Sequence, residues 1–163
     1  MPVAVEDYAR VDQRARELGC TLPDGLAVIP INFESAASRD ELYTASHTTT
    51  VLKFFREGDI AVDNFLSRED KQSYVVNKHF QWLGPTLFIP LALWNNNPEI
   101  VSLAIGVLGN CITDFFKGIP TRLRIVKLDM VVETDSRNYK KISYEGGIEG
   151  LQELPKIIRE MRK

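Results

Sequence analysis

The 163-residue chain has the composition of a globular protein, with 44% hydrophobic and 26% charged residues and a net charge of −2. This balance excludes an intrinsically disordered chain and argues against nucleic-acid binding, because affinity for a phosphate backbone requires clustered Lys and Arg. A chain of this length fits one domain, so residues 1–163 are predicted to form a single globular domain.

The N-terminal part of the chain predicts one helix and one strand. Apolar side chains at three-to-four-residue spacing predict an amphipathic helix over 5–19, which Gly19 ends. Residues 26–33 are a strand candidate. Because Pro30 has no backbone N–H to donate, this strand is expected at a sheet edge or beside a bulge.

The next part of the chain carries mixed signals. Residues 38–41 (SRDE) are a capping box, which predicts a helix that ends at Gly58. The β-branched run at 48–51 indicates a break or a strand within that helix. Residues 59–66 are predicted to form a short strand or a turn.

The region that follows predicts a further helix. Residues 67–70 (SRED) resemble a helix start. The stretch 74–83 fits both the helical and the strand period, and the cap upstream of it favours the helix. Within this stretch, His79 is expected to be a core histidine rather than a ligand.

The clearest helix is predicted over 98–117. Asn97 is expected to cap it, Pro98 to occupy its first position and Gly118 to end it. Apolar side chains cover most of its circumference, so we expect a central helix that is buried nearly all round.

A β-hairpin is predicted over 121–145, with strands at 121–134 and 139–144. A change of side-chain parity predicts a bulge or a twist near Ile125. The last helix is expected to begin near Pro155, which would interrupt it at any later position. The fold class is therefore predicted to be α+β, with a small, mainly antiparallel sheet packed with helices.

The two cysteines, Cys20 and Cys111, match no disulfide framework, CxxC motif or zinc-ligand spacing. The first residues lack the basic start and apolar core of a secretory leader. We therefore expect a cytoplasmic protein with no bound metal or cofactor.

No nucleophile elbow, phosphate-binding glycine loop or HExxH motif is present in the sequence. His47 stands among several hydroxyl residues and is a candidate general base, with Asp63 as a candidate carboxylate partner. The alternatives are a surface histidine and a solvated acidic loop. A small hydrolase or transferase that uses His47 with nearby carboxylates is accordingly one functional alternative.

Residues 85–116 form the most apolar region of the chain. Neither arm of this segment reaches the roughly 20 apolar residues needed to span a membrane. We therefore expect it to be buried in the core or in a homo-oligomer interface. A membrane-associated effector that uses 85–116 is the third functional alternative, because aromatic residues within it suit a lipid–water interface.

The order of apolar helix, hairpin and short terminal helix resembles that of small accessory modules found beside effectors in bacterial conflict systems. The residues that carry this resemblance are 112–118 (ITDFFKG), 131–133 (VVE) and 144–146 (YEG). The resemblance implies an accessory role in defence, and no functional residue is transferred from it.

The leading functional hypothesis is a noncatalytic interaction or regulatory module that self-associates or binds a protein partner. Apolar residues that could form a packing surface are abundant in the sequence, whereas no set of polar residues matches a known catalytic arrangement.

Overall fold

A computed structural model describes residues 3–45, 47–65, 73–75, 81–135 and 138–161. Within them, the strands in chain order are β1 Val3–Tyr8, β2 Ala27–Ile29, β3 Tyr43–Ala45, β4 Asp63–Asn64, β5 Ser73–Val75, β6 Gln81–Leu83, β7 Thr86–Ile89, β8 Ile125–Asp135 and β9 Asn138–Gly146. The α-helices are α1 Val11–Glu17, α2 Thr48–Glu57, α3 Leu91–Asn96, α4 Glu99–Phe115 and α5 Leu154–Met161. Short 3₁₀ turns occupy Arg39–Glu41, Thr121–Leu123 and Ile148–Glu153.

In the described part of the chain, seven strands form one sheet in the order β1-β9-β8-β7-β2-β4, and β6 also pairs with β8. The ladders β1–β9, β8–β9 and β2–β7 are antiparallel. Strands β6 and β7 run parallel to β8, and β4 runs parallel to β2. The longest ladders are antiparallel, so the α+β class is supported. The sheet is larger than expected, and its parallel pairs were not predicted.

The two faces of the sheet are covered by different elements. The first face packs against α2, α4 and α5, and its largest buried side chains include Trp82, Leu108 and Phe116. The second face packs against α1 and the segment that follows β2, around Phe33 and Phe88. Burial of these apolar side chains is the main force that holds the helices on the sheet.

A bulge interrupts the chain between β6 and β7. Three residues separate Leu83 from Leu87, whereas only two separate their β8 partners, Lys127 and Met130. The extra residue falls at Gly84-Pro85 and changes the side-chain parity. As a result, Trp82 of β6 and Leu87 of β7 both contribute to the first-face core despite their odd spacing.

The predicted helix over 5–19 is wrong in its first half, which forms strand β1. Glu6 and Asp7 pair with Lys141 and Lys140 of β9, both in backbone register and through their side chains. The helix begins only at Val11. These cross-strand ion pairs are made with residues more than 130 positions away, so the local helical period gives no sign of them.

Strand β2 is shorter than the predicted 26–33, because it ends at Ile29, before Pro30. It lies between β7 and β4 rather than at the edge of the sheet. Pro30 therefore follows the end of an internal strand, where no ladder hydrogen bond requires a backbone N–H.

The capping box at 38–41 does not begin a long helix. It forms a 3₁₀ turn in which Ser38 makes no capping hydrogen bond with its side chain. The helix α2 begins instead at Thr48, within the β-branched run that predicted a break, and ends at Glu57, before Gly58. Residues 63 and 64 form β4, in agreement with the short strand predicted over 59–66.

The helix preferred for 74–83 is wrong wherever that stretch is described. Residues 73–75 form β5, and residues 81–83 form β6. The predicted helix start at 67–70 and His79 lie outside the described residues.

The later elements agree better with the predictions. Helix α4 lies within the predicted 98–117, although Pro98 rather than Asn97 occupies the capping position. The hairpin is present, but residues 121–123 form a 3₁₀ turn and the register shift lies between Glu133 and Asp135, not near Ile125. Helix α5 begins at Leu154, beside Pro155, as predicted.

Candidate interaction surface on helix α4

Helix α4 is not buried nearly all round, contrary to the prediction. Its inner side carries the buried residues Val101, Ala104, Ile105, Leu108, Cys111 and Ile112. Its outer side carries Leu103, which is the most exposed large hydrophobic side chain in the described residues at 57% exposure. The outer side is therefore an uncovered part of the most apolar of the described helices.

Four small residues follow one line along this outer side. They are Ser102, Gly106, Gly109 and Thr113, which we call the α4 stripe. Their spacing of four, three and four residues keeps them on one helical face. A Cβ atom added at Gly106 or Gly109 would meet no described atom within 4 Å. The helix backbone is thus open to close approach along the stripe.

The α4 stripe forms one wall of a groove of about 540 Å³. The opposite wall comes from the 3₁₀ turn Ile148–Glu153 and from α5, with Leu151 and Pro155 among its apolar residues. Lys156 and Arg159 of α5 also line the groove, and both are exposed. The groove therefore joins an apolar floor to a positively charged rim.

The acidic residues of α4 lie at its two ends. Glu99 lies in the first turn, and Asp114 lies in the last turn, where it forms an ion pair with Lys117 at 3.2 Å. Both acidic residues are exposed. The outer side of α4 and the rim on α5 consequently carry charges of opposite sign.

No family model, curated protein or solved structure matches this chain at a significant level. The functional proposals below therefore depend on the surfaces of this chain itself. Within the described residues, no helix combines the length and the apolar character that crossing a membrane requires.

The structure places His47 at the start of α2, half-buried against two aromatic rings. Its imidazole is parallel to the Trp82 indole, with 6.2 Å between ring centroids, and meets the Phe115 ring edge-on at 4.8 Å. Burial lowers the pKa of His47 below its ordinary value of 6.5. Among the described residues, no carboxylate or hydroxyl forms a hydrogen bond with the imidazole.

Asp63 lies on β4 and is exposed. It is in register with Ala27, which belongs to the second-face core, and it lines a depression of about 310 Å³ that also contains Arg39. His47 contacts Trp82, which belongs to the first-face core. The structure therefore does not bring His47 and Asp63 together, because the sheet lies between them.

Cys111 faces the core from the inner side of α4. Burial raises the pKa of its thiol to about 11, with a further contribution from the negative charge of Asp114. A thiol in this environment is protonated at neutral pH and packs as a small apolar group. Among the described residues, no group of three His, Cys, Asp or Glu side chains is arranged to hold a metal ion.

The environment of His47 predicts a pH-dependent contribution to stability. Its folded-state pKa is lowered, so the unfolded chain binds a proton more readily, and the native state loses stability as the pH falls through about 6.5. We expect the unfolding free energy of the wild type to decline relative to that of His47→Gln between about pH 7.5 and about pH 5. Urea unfolding at a series of pH values measures this difference, and His79 is present in both proteins, so its contribution cancels. A constant difference across this range would contradict the prediction.

Proposed function

We propose that this chain is a noncatalytic interaction module that self-associates through the outer side of α4. The observation that carries the proposal is the α4 stripe, which leaves two glycines open on the side of the helix that also exposes Leu103. An accessory role beside an effector of a bacterial conflict system is the biological setting we propose for such a module.

The order of residues in the stripe favours a second copy of the chain as the occupant. Read from either end, the stripe runs hydroxyl, glycine, glycine, hydroxyl. Two-fold dimers need a surface that is complementary to itself, in which residue i meets residue j and residue j meets residue i. Two antiparallel α4 helices would place Gly106 against Gly109 of the second copy, and Ser102 against Thr113. The glycines would allow the two backbones to approach closely.

The charges support the same arrangement. The outer side of α4 ends in Glu99 and Asp114, whereas Lys156 and Arg159 line the groove beside it. A second α4 seated in the groove would bring acidic residues toward this positive rim. Such charges guide association and orientation more than they add affinity. The burial of Leu103 would supply apolar contact area.

The test uses two substitutions at Gly106. One is expected to stabilise the monomer, and the other is expected to prevent association. Gly106→Ala should raise the unfolding free energy of the monomer by about 1 kcal/mol, because alanine favours the helix and its Cβ meets no described atom. Gly106→Leu should abolish the dimer, because its side chain would occupy the space that a second helix needs. Light scattering over a concentration series measures association, and urea unfolding at low concentration measures stability.

Gly25→Leu is the matched control, because Gly25 also has open space around it but lies away from the α4 groove. We expect this variant to dimerise as the wild type does. A wild type that stays monomeric at millimolar concentration would contradict the proposal. A Gly106→Leu variant that is folded and still dimeric would contradict it equally.

A further inference from the structure

A cavity lies on the second face of the sheet, away from the α4 groove. It has a volume of about 580 Å³, within the range of small-molecule sites. Its wall includes Gly84, at the bulge between β6 and β7. Bulges are common beside binding sites, because they change the direction of nearby side chains.

Three polar side chains form a row across the floor of this cavity. Asp129 of β8 is in register with Ser143 of β9. The register of Leu87 with Met130 places Thr86 of β7 beside Asp129 on the other side. All three residues line the cavity, so we call them the polar row. The row brings one carboxylate between two hydroxyls.

The polar row has no hydrogen-bond partners among the described side chains. Thr86 is only 4% exposed, and it shares the side of β7 that Phe88 turns toward the second face. Asp129 and Ser143 are half-buried, and neither forms a hydrogen bond or an ion pair through its side chain within the described chain. The polar row therefore presents side-chain oxygens that a ligand in the cavity can bond.

Each of the two lysines beside the polar row is paired with a glutamate. Nζ of Lys127 lies 3.9 Å from Oε1 of Glu145, and Nζ of Lys141 lies 3.0 Å from Oε1 of Glu6. Burial alone would lower the pKa of Lys141, but its hydrogen bond with Glu6 and the negative charge of Asp129 raise it. Lys127 and Lys141 lie on either side of Asp129 along β8 and β9, so they would repel a cationic ligand, whereas the three carboxylates would repel an anionic one.

We infer that the cavity binds a small, neutral, hydroxyl-rich molecule of the sugar or polyol class. The Asp129 carboxylate accepts two O–H bonds from such a ligand. The hydroxyls of Thr86 and Ser143 donate to and accept from neighbouring ligand oxygens. Ala4 and Ile31 line the cavity as well and offer apolar contact to C–H groups.

The experiment is a titration followed by amide chemical shifts in two-dimensional NMR, with ribose, glucose and inositol as probes. We expect millimolar binding with shifts concentrated at the polar row. Ethylammonium and inorganic phosphate are the comparison probes. Stronger binding of either one at these residues would overturn the inference, because it would show a site for charged ligands. No local shift with any of the three hydroxyl-rich probes at about 50 mM would overturn it as well.

Two variants separate binding from folding. Asp129→Asn keeps the shape of the side chain but replaces one acceptor oxygen by a donor, and we expect at least tenfold weaker binding. Thr86→Val removes the hydroxyl, which bonds no described group, so it should weaken binding without lowering the thermal midpoint of the free protein. Retention of wild-type affinity in both variants would overturn the inference. Gly106→Leu is the control for this site and should bind the probes as the wild type does.

Discussion

Replacement of Trp82 by alanine is expected to lower the unfolding free energy by about 3–5 kcal/mol. The indole is only 1% exposed and lies in the first-face core, next to the bulge at Gly84. Its removal takes away a large apolar area and leaves a cavity that the sheet cannot close. The backbone of β6 is fixed by its pairing with β8, so little relaxation is available.

Trp94→Ala is the matched control, because Trp94 is half-buried on α3 and packs at the margin of the same core. We expect its loss to cost markedly less, about 1–2 kcal/mol. Urea unfolding followed by far-UV circular dichroism measures both values without dependence on tryptophan fluorescence. Equal losses in the two variants would contradict the description of Trp82 as a central core residue.

The Trp82→Ala variant should also change the titration of His47. The indole shields one side of the imidazole, and this burial keeps the pKa of His47 low. We expect the pKa to rise toward its ordinary value in the variant. The imidazole proton shifts, followed by NMR over pH, measure this change under conditions in which the variant is folded.

Elements that depend on local signals were predictable from the sequence. The helix α4 has a long apolar period, and the turn into α5 is marked by Pro155, so both were located correctly. The hairpin of β8 and β9 was found because two apolar runs flank the polar residues 135–138 in the sequence. The sequence signals for these features lie in neighbouring residues, although their stability also depends on packing against the sheet.

Elements that depend on distant partners were not predictable. Strand β1 exists because it pairs with β9 across nearly the whole chain, whereas its own residues also fit a helical period. Residues 81–83 alternate as a strand, but the bulge at Gly84 reverses the parity before β7 and conceals the continuity of the two strands. A sequence period cannot show a register that a distant strand imposes.

The candidate surfaces were only partly predictable for the same reason. Burial of the apolar middle in the core or in a homo-oligomer interface was expected, and the interface stays a prediction. The exposed stripe was missed because apolar residues dominate the pattern of α4. The spacing of Ser102, Gly106, Gly109 and Thr113 was the available signal. The separation of His47 from Asp63 could not be read from the sequence, because it depends on which side of the sheet each element packs.

Replacement of Gly84 by alanine is expected to lower the unfolding free energy by about 1–3 kcal/mol, although the change adds a single methyl group. The new Cβ would come within 2.6 Å of Cη2 of Trp82, closer still to Cζ3, and within 3.1 Å of Cδ1 of Leu128. The indole is enclosed by the core and cannot rotate away. The strand must therefore move from β8, which strains the hydrogen bond that the Gly84 N–H donates to the Lys127 carbonyl at 2.9 Å.

Gly109→Ala is the matched control, because the same glycine-to-alanine change is expected to stabilise the protein at this position. Its added Cβ meets no described atom within 4 Å and lies in a helix, so the variant should gain about 0.5–1 kcal/mol in the monomer. Urea unfolding at low protein concentration compares the two variants with the wild type. If Gly84→Ala were as stable as Gly109→Ala, the close approach of the bulge to Trp82 would be refuted. A loss in Gly84→Ala that disappears in the Trp82→Ala background would identify the clash as its cause, because the two substitutions would then be coupled through the same contact.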